Sequence, residues 1–395
     1  MTLIKEKIEQ ARQILREYQI DCWLTFVRET QITPDPALQF LVDGDLTWHS
    51  ALIVSQAGPA IAIVGAYDRK SVEDTGAYDE VIGYVQSIRP HLLKTITKLD
   101  PKSIAVNYSE DSEVCDGLTH GMFLTLNKML SEIGFHDRIV SAEKIVSALR
   151  QRKTRWEVDR IRAAVEATEK IFDAVGKFIR PGRSEEEIAE FVRGEMSSAQ
   201  LQPAWDPRMC PAVFTGPDTA EAHYGPTSRR VEPGHVVSMD FGVKVDGYCA
   251  DLQRSWYVAE KKGASVPSDV QAGFDTIVEA IETARRCLKP GVKGIEVDRA
   301  ARRVLADRGY DEFPHALGHQ VGRFAHDGSA LLGPEWEKYG NKPFEPIEAG
   351  MVFTLEPRLT VPGKGIVTVE EMVLVSEGSA DYLSSPQQKL VLIES

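Results

Sequence analysis

Two rhythms of apolar and polar residues run along this chain. In "MTLIKEKIEQARQILREYQ" at the start, Ile4, Ile8, Ile14 and Leu15 recur at helical spacing among alternating charges, which predicts a helix with one apolar face. Up to about residue 150, helical patterns then alternate with short β-rich runs: "DCWLTFV", "ALIVSQ", "AIAIVG" and "SIAVNY". That alternation predicts an α/β domain, punctuated by turn residues and carrying no cluster of catalytic type. The polar, basic stretch "SALRQRKTRWEVDRIR" leads into a long helix pattern and marks the start of a second domain, giving 1–150 and 151–395.

The second domain repeats itself. Its pattern reads helix, helix, strands, and then the same again. "PGRSEEEIAEF" at 181–191 and "PGVKGIEVDRA" at 290–300 each place Glu and then Ile or Val five residues after the Gly, and each opens a helix. Ser184 and Glu187 fit a capping box. "EPGHVVSMD" at 232–240 returns as "EAGMVFTLE" at 348–356. A unit recurring at this distance predicts a duplicated α+β domain whose halves bring Asp240 and Glu356, the acids that close each phrase, into one place.

Strand geometry extends the pair. Asp246-Gly247 is a strong two-residue hairpin signal, and pairing outward from it sets Val245 against Tyr248, Gly242 against Asp251 and Asp240 against Gln253. Asp240 and Asp251 are then diagonal neighbours on one face. In the second copy "PGKG" is the turn. A loop of two or four residues puts Glu356 opposite Glu371, whereas three residues or a bulge puts it on the face of Glu370 and Met372. Pattern alone leaves both open. Acids on strands usually face water, but recurrence within one phrase favours convergence here. Two carboxylates a few ångströms apart repel by roughly 4 kcal/mol even at an effective dielectric of about 20. Four together call for two divalent cations, with an oxygen-rich donor set suited to Mn, Co, Fe or Zn. Three of nine histidines, His315, His319 and His326, fall in "HALGHQVGRFAH", where Gly318 and Gly322 permit close backbone approach. His223, in "EAHYGPT", precedes the first strand phrase.

Bulk properties narrow the partners. A net charge of −13 argues against nucleic acid or an anionic membrane surface. No stretch is apolar for long enough to span a bilayer, and the N-terminus lacks a secretory pattern, so the expected location is cytoplasmic. Five scattered cysteines without a C-x-x-C pair predict reduced thiols.

"HYGPT", "MDFG", "ADLQR", "GHQVGRFAHD", "TLEP" and "VEE", in this order, resemble the "pita-bread" metallopeptidase family of methionine aminopeptidases, aminopeptidase P, prolidase and creatinase. The resemblance covers the whole chain. It implies a creatinase-type α/β N-terminal domain followed by a pseudo-two-fold α+β catalytic domain. It also implies two metal ions, Mn foremost with Co, Zn or Fe as alternatives, held by Asp240, Asp251, His319, Glu356 and Glu370. Asp251 and Glu370 would bridge, so Glu370 is selected over Glu371 and the second hairpin should hold an odd loop or a bulge. His326 matches the proton-shuttling histidine, and Glu356 doubles as acid/base. His223 and His315 match residues that orient the substrate and its developing oxyanion. The implied reaction is hydrolysis of the Xaa-Pro bond of dipeptides or short peptides by a metal-bridging hydroxide, in a homodimer.

Three departures stand out. Thr368 occupies a position where aminopeptidase P-like members carry Arg, "EPR" replaces "EPG", and "HDGSALLGP" lacks the arginine that prolidases use to grip a dipeptide carboxylate. With an odd loop, Arg358 is expected opposite Glu370 and diagonal to position 368, as a partner of Glu370 or a clamp for a substrate carboxylate. The alternatives are an Xaa-Pro aminopeptidase acting on longer peptides, a metal-dependent lyase, and an inactive binding module. The full ligand set disfavours the last and also a creatinase, and the large N-terminal domain disfavours a methionine aminopeptidase.

Overall fold

In a computed structural model of the protein, residues 2–218 and 225–394 are described. The chain forms two compact units, Met1–Arg150 and Gln151–Ser395.

In the first unit a six-stranded sheet runs in the order Glu80–Tyr84, Ala60–Gly65, Ser50–Ser55, Cys22–Val27, Ile104–Val106, Ile139–Ser141. Alternate residues enter different cores. Trp23, Leu52 and Val54 pack with Ile8, Ile14 and Leu15 of the N-terminal helix Leu3–Glu17. Leu24, Phe26, Ile53 and Ile63 pack on the other side with Leu92 and Ile96 of helix Arg89–Leu99 and Leu126 of helix His120–Ser131. Burial on both faces explains why these strands read as continuous apolar runs.

The second unit follows its repeated sequence at the level of single hydrogen bonds. Ser184 caps helix Glu185–Ser198 in a capping box with Glu187. In the first half Gly182 N donates to Val231 O (2.8 Å) and Val231 N donates to Arg183 O (2.8 Å). In the second, Gly291 N donates to Ile347 O (2.9 Å) and Ile347 N to Val292 O (2.8 Å). Isolated bridges Ser184–Arg230 and Lys293–Pro346 complete the match. Gly182 and Gly291 both adopt φ 88°, and Gly234 and Gly350 adopt 85° and 87°, so these glycines supply the left-handed turns into each helix and strand. Helix Ser268–Cys287 buries Val270, Phe274, Ile277, Ile281 and Ala284 against Phe353, Leu355 and Val373.

Each half ends in a β-ribbon. Strands Val236–Phe241 and Leu252–Val258 pair as Asp240–Gln253 and Phe241–Leu252, and Val245 faces Tyr248 across Asp246-Gly247. Strand Arg358–Val361 pairs with Gly365–Thr368 around the three-residue loop 362–364, and Val352–Leu355 pairs with Glu371–Val375 in the same register. That odd loop brings Glu356 into line with Glu370. It also corrects the expected place of Arg358. Closing Val361 on Gly365 makes Arg358 face Thr368, not Glu370.

Candidate metal centre

The two ribbons meet edge to edge at one residue. Gln253 N donates to Glu370 O (3.4 Å) and Glu370 N donates to Gln253 O (3.1 Å), which carries the second acid pair to the first. Buried hydroxyls reinforce this seam. Ser255 Oγ donates to Thr368 O (2.6 Å), and Ser238 Oγ donates to Ile366 O (2.8 Å). The hydroxyl position of the repeated phrase is thus structural in the first copy. In the second, Thr354 Oγ1 accepts from His319 N (3.2 Å) and fixes a ligand candidate instead.

His319 arrives on a strip beside strand Val352–Leu355. Glu356 N donates to Leu317 O (2.8 Å), Thr354 N to His319 O (2.9 Å) and Val321 N to Val352 O (3.1 Å). Gly318 is required there, because a Cβ would lie 1.9 Å from Thr354 O. The following loop closes on Asp327, whose Oδ2 accepts from Arg323 N (2.7 Å) and would sit 2.0 Å from a Cβ at position 322.

The result is a cluster of Asp240, Asp251, His319, Glu356 and Glu370. One ligand atom each from Asp251, His319 and Glu370 fall within 4.8 Å of one another. His319 Nε2 is 3.7 Å from Asp251 Oδ2 and 3.4 Å from Glu356 Oε1. Its Nδ1 lies 3.4 Å from Gln320 O. A hydrogen on Nδ1 leaves Nε2 as a lone pair facing the acids. Burial pushes the Asp251, Glu356 and Glu370 carboxyls well above the usual range and that of Asp240 up to about 7, with neighbouring acids adding to the rise for the first three. Burial likewise holds His319 well below the ordinary imidazole value, hence neutral. Asp240 Oδ1 and Glu370 Oε2 are buried without a hydrogen-bond partner. Buried acceptors facing other acceptors, with a neutral imidazole among them, fit divalent cations.

Glu371, by contrast, is fully accounted for. Arg254 reaches both of its oxygens at 3.1 and 3.2 Å, Ser384 Oγ donates at 2.5 Å and Gln387 N at 2.8 Å. The choice that the strand pattern left open therefore falls on Glu370.

The remaining histidines differ. His326 is exposed and sets its ring edge-on to His319, with centroids 4.1 Å apart. His315 places Nδ1 2.8 Å from Ala316 O. A carbonyl only accepts, so Nδ1 carries the hydrogen and Nε2 is an acceptor. Burial lowers the pKa of His315 to about 4, with Arg358 adding to the effect. Arg358 also lowers the proton affinity of Glu356, so its charge acts on Glu356 and His315. His223 lies outside the described residues. Sequence reasoning missed Gln253. The signal was present, since the hairpin register sets it opposite Asp240 and on its face.

The fold and this ligand constellation define a pita-bread metallopeptidase. Residues 159–377, more than half of the chain, match metallopeptidase family M24, and the chain belongs to that family. An uncharacterized peptidase of Staphylococcus aureus is 25% identical over 337 residues, covering 85% of this chain and 87% of that protein. Among solved structures, an Xaa-Pro dipeptidase from Bacillus anthracis aligns with a TM-score of 0.75 at 22% identity, covering 99% of this chain and 100% of the other. An X-Pro aminopeptidase from Thermotoga maritima aligns at 0.70 and 25% identity, covering 98% and 99%. A prolidase from Pyrococcus horikoshii aligns at 0.71 and 22%, covering 98% and 100%. Among the described residues no helix is long and apolar enough to cross a membrane.

Proposed function

We propose that the protein is a dinuclear-metal peptidase that cleaves the Xaa-Pro bond of dipeptides or short peptides. The observation that carries this reading is the meeting of Asp240, Asp251, His319, Glu356 and Glu370 where the two repeated ribbons join. The substrate class is supported by two of the solved neighbours, which are an Xaa-Pro dipeptidase and an X-Pro aminopeptidase by name.

Asp251 and Glu370, the more deeply buried acids, would hold the metal together with Asp240, His319 and Glu356. Two divalent ions, manganese foremost with cobalt, zinc or iron as substitutes, supply a Lewis acid for the scissile carbonyl and lower the pKa of a water. Glu356 takes a proton from the attacking water and returns it to the leaving nitrogen. His326, at the solvent side, shuttles protons and stabilises the oxyanion. With its hydrogen committed to Ala316 O, His315 suits an ammonium or amide N–H of the substrate better than a developing oxyanion. Arg358, whose charge bears on both His315 and Glu356, would grip a substrate carboxylate. A prolyl nitrogen has no hydrogen, so the leaving group is selected by shape.

The test is hydrolysis of Xaa-Pro dipeptides, Xaa-Pro-Yaa tripeptides and non-prolyl dipeptides by Mn- and Co-loaded protein. Preference for the first is the expected result. Faster turnover of tripeptides would make the enzyme an Xaa-Pro aminopeptidase, and inactivity on every peptide would favour a lyase on the same fold. The reading includes a cytoplasmic homodimer, which sedimentation of the purified protein checks for mass.

A further inference from the structure

One neutral side chain lies against two of the four acids. Gln253 Nε2 donates to Asp240 Oδ2 (3.4 Å) and to Glu356 Oε2 (3.2 Å), while its backbone exchanges both hydrogen bonds with Glu370. Its amide has two hydrogens, one for each carboxylate. Each acid keeps its other oxygen: Asp240 Oδ1, which has no partner, and Glu356 Oε1, which faces His319. The far end of the amide is fixed as well. Thr368 Oγ1 donates to Gln253 Oε1 at 2.5 Å, and Thr368 is itself buried, its backbone tied to Ser255 Oγ. Rotating the amide by half a turn would set Oε1 against two carboxylates, acceptor against acceptor, and would exchange the short Thr368 Oγ1 donation for the longer one to Pro357 O at 3.3 Å. The amide therefore has one favourable orientation.

We propose that Gln253, oriented by Thr368, is a positioning residue that holds Asp240 and Glu356 by one oxygen each and so presents the other two oxygens to the metal ions. This rests on the reading of the cluster as a metal centre. The chemistry favours an uncharged donor. A lysine or arginine at this point would add a positive charge that opposes cation binding, and a carboxylate would add a fifth acid. Asparagine is one methylene shorter and does not span the same separations. Thr368 Oγ1 also lies 3.3 Å from Pro357 O, but its short bond is the one to Gln253 Oε1, so most of its contribution should vanish when the amide is absent.

The test titrates metal-free full-length protein with Mn2+ alone, by calorimetry, and records metal-free melting temperatures alongside. Gln253→Met keeps length without donors, and Thr368→Val keeps volume without the hydroxyl. Gln253→Met should weaken Mn2+ binding about 10- to 100-fold. Thr368→Val should weaken it in the same direction, Thr368→Ser should restore it, and the double variant should bind about as weakly as Gln253→Met. Should Gln253→Met fail to fold, Thr368→Val and its serine rescue decide the matter. Wild-type affinity in Gln253→Met or Thr368→Val, or an undiminished effect of Thr368→Val in the Gln253→Met background, would overturn the proposal. So would wild-type protein that does not bind Mn2+. Mn2+ binding with the expected variant pattern but without hydrolysis of any peptide would sink the peptidase reading and leave this one standing.

Discussion

Glu370 and Glu371 are sequence neighbours with opposite partners, and that contrast is testable at the level of single residues. Glu370 carries an oxygen without a partner among other acids, whereas Glu371 is held by Arg254, Ser384 and Gln387. Glu370→Ala should reduce Mn2+ affinity by at least about tenfold and leave the metal-free protein at least as stable, because a carboxyl whose ionised form burial and neighbouring acids disfavour is gone. Glu371→Ala should retain the metal and lose about 1.5–3 kcal/mol of stability, since Arg254 loses its nearer carboxylate and keeps only Glu169, at 3.8 Å, and backbone carbonyls. Calorimetry and urea unfolding of the pair distinguish the two. In the N-terminal unit, Asp35 is buried and its pKa is pushed up to about 6 by desolvation, despite hydrogen bonds from Asn107 and Ala37 N. An acid with a raised folded pKa binds more protons when folded, so stability falls as pH rises from the unfolded value near 3.8 through about 6 and is level above. The unfolding free energy of wild type minus that of Asp35→Asn should therefore fall by about 2 kcal/mol between pH 3.8 and 6, out of about 3 kcal/mol over the whole titration. A flat difference would contradict the assignment. Asp240, Asp251, His319 and Glu356 were legible because each sits in a motif or a repeated phrase. Gln253 was harder to see, because its role depends on a hydroxyl more than a hundred residues away, and no local pattern announces such a pair.

Among the elements, the hairpin after Asp240 was legible down to its register, because Asp-Gly fixes a two-residue turn and the turn fixes every pair beyond it. The second hairpin was not. "PGKG" closes equally well with an even or an odd loop, and a one-residue slip exchanges the two faces of a strand. The same ambiguity displaced Arg358, which pairs with Thr368. In the first unit the four central strands were read from continuous apolar runs, while Glu80–Tyr84 and Ile139–Ser141 escaped notice. Both lie at the sheet edges and are only partly buried, so neither carries a strong apolar signature. The strip that carries His319 has no strand pattern of its own and depends on Gly318 for its approach to Thr354. Gly318→Ala should push that strip away, costing more than about 2 kcal/mol and at least tenfold in Mn2+ affinity. Thermal unfolding and metal titration of this variant check both. Ser184→Ala, which removes a cap far from the acids, should cost about 1 kcal/mol and leave Mn2+ affinity unchanged.

Across the whole molecule, duplication is the feature that produces the site. Matching backbone bonds at Gly182 and Gly291, and at Val231 and Ile347, show two copies of one helix-to-strand junction. Each copy ends its strand in an acid, and the seam at Gln253 and Glu370 joins the ribbons so that neither copy alone holds the ligand set. This was visible in the repeated phrases, but the seam was not, since sequence repeats state that halves are alike without stating how they touch. The domain chemistry follows the same division: among the described residues every ligand candidate lies in Gln151–Ser395, and the Met1–Arg150 unit supplies none. The most direct measurement is anomalous diffraction from crystals grown with Mn2+. Two peaks per chain, ringed by Asp240, Asp251, His319, Glu356 and Glu370, are the expected result. Peaks elsewhere, or no peak among these five side chains, would contradict the account.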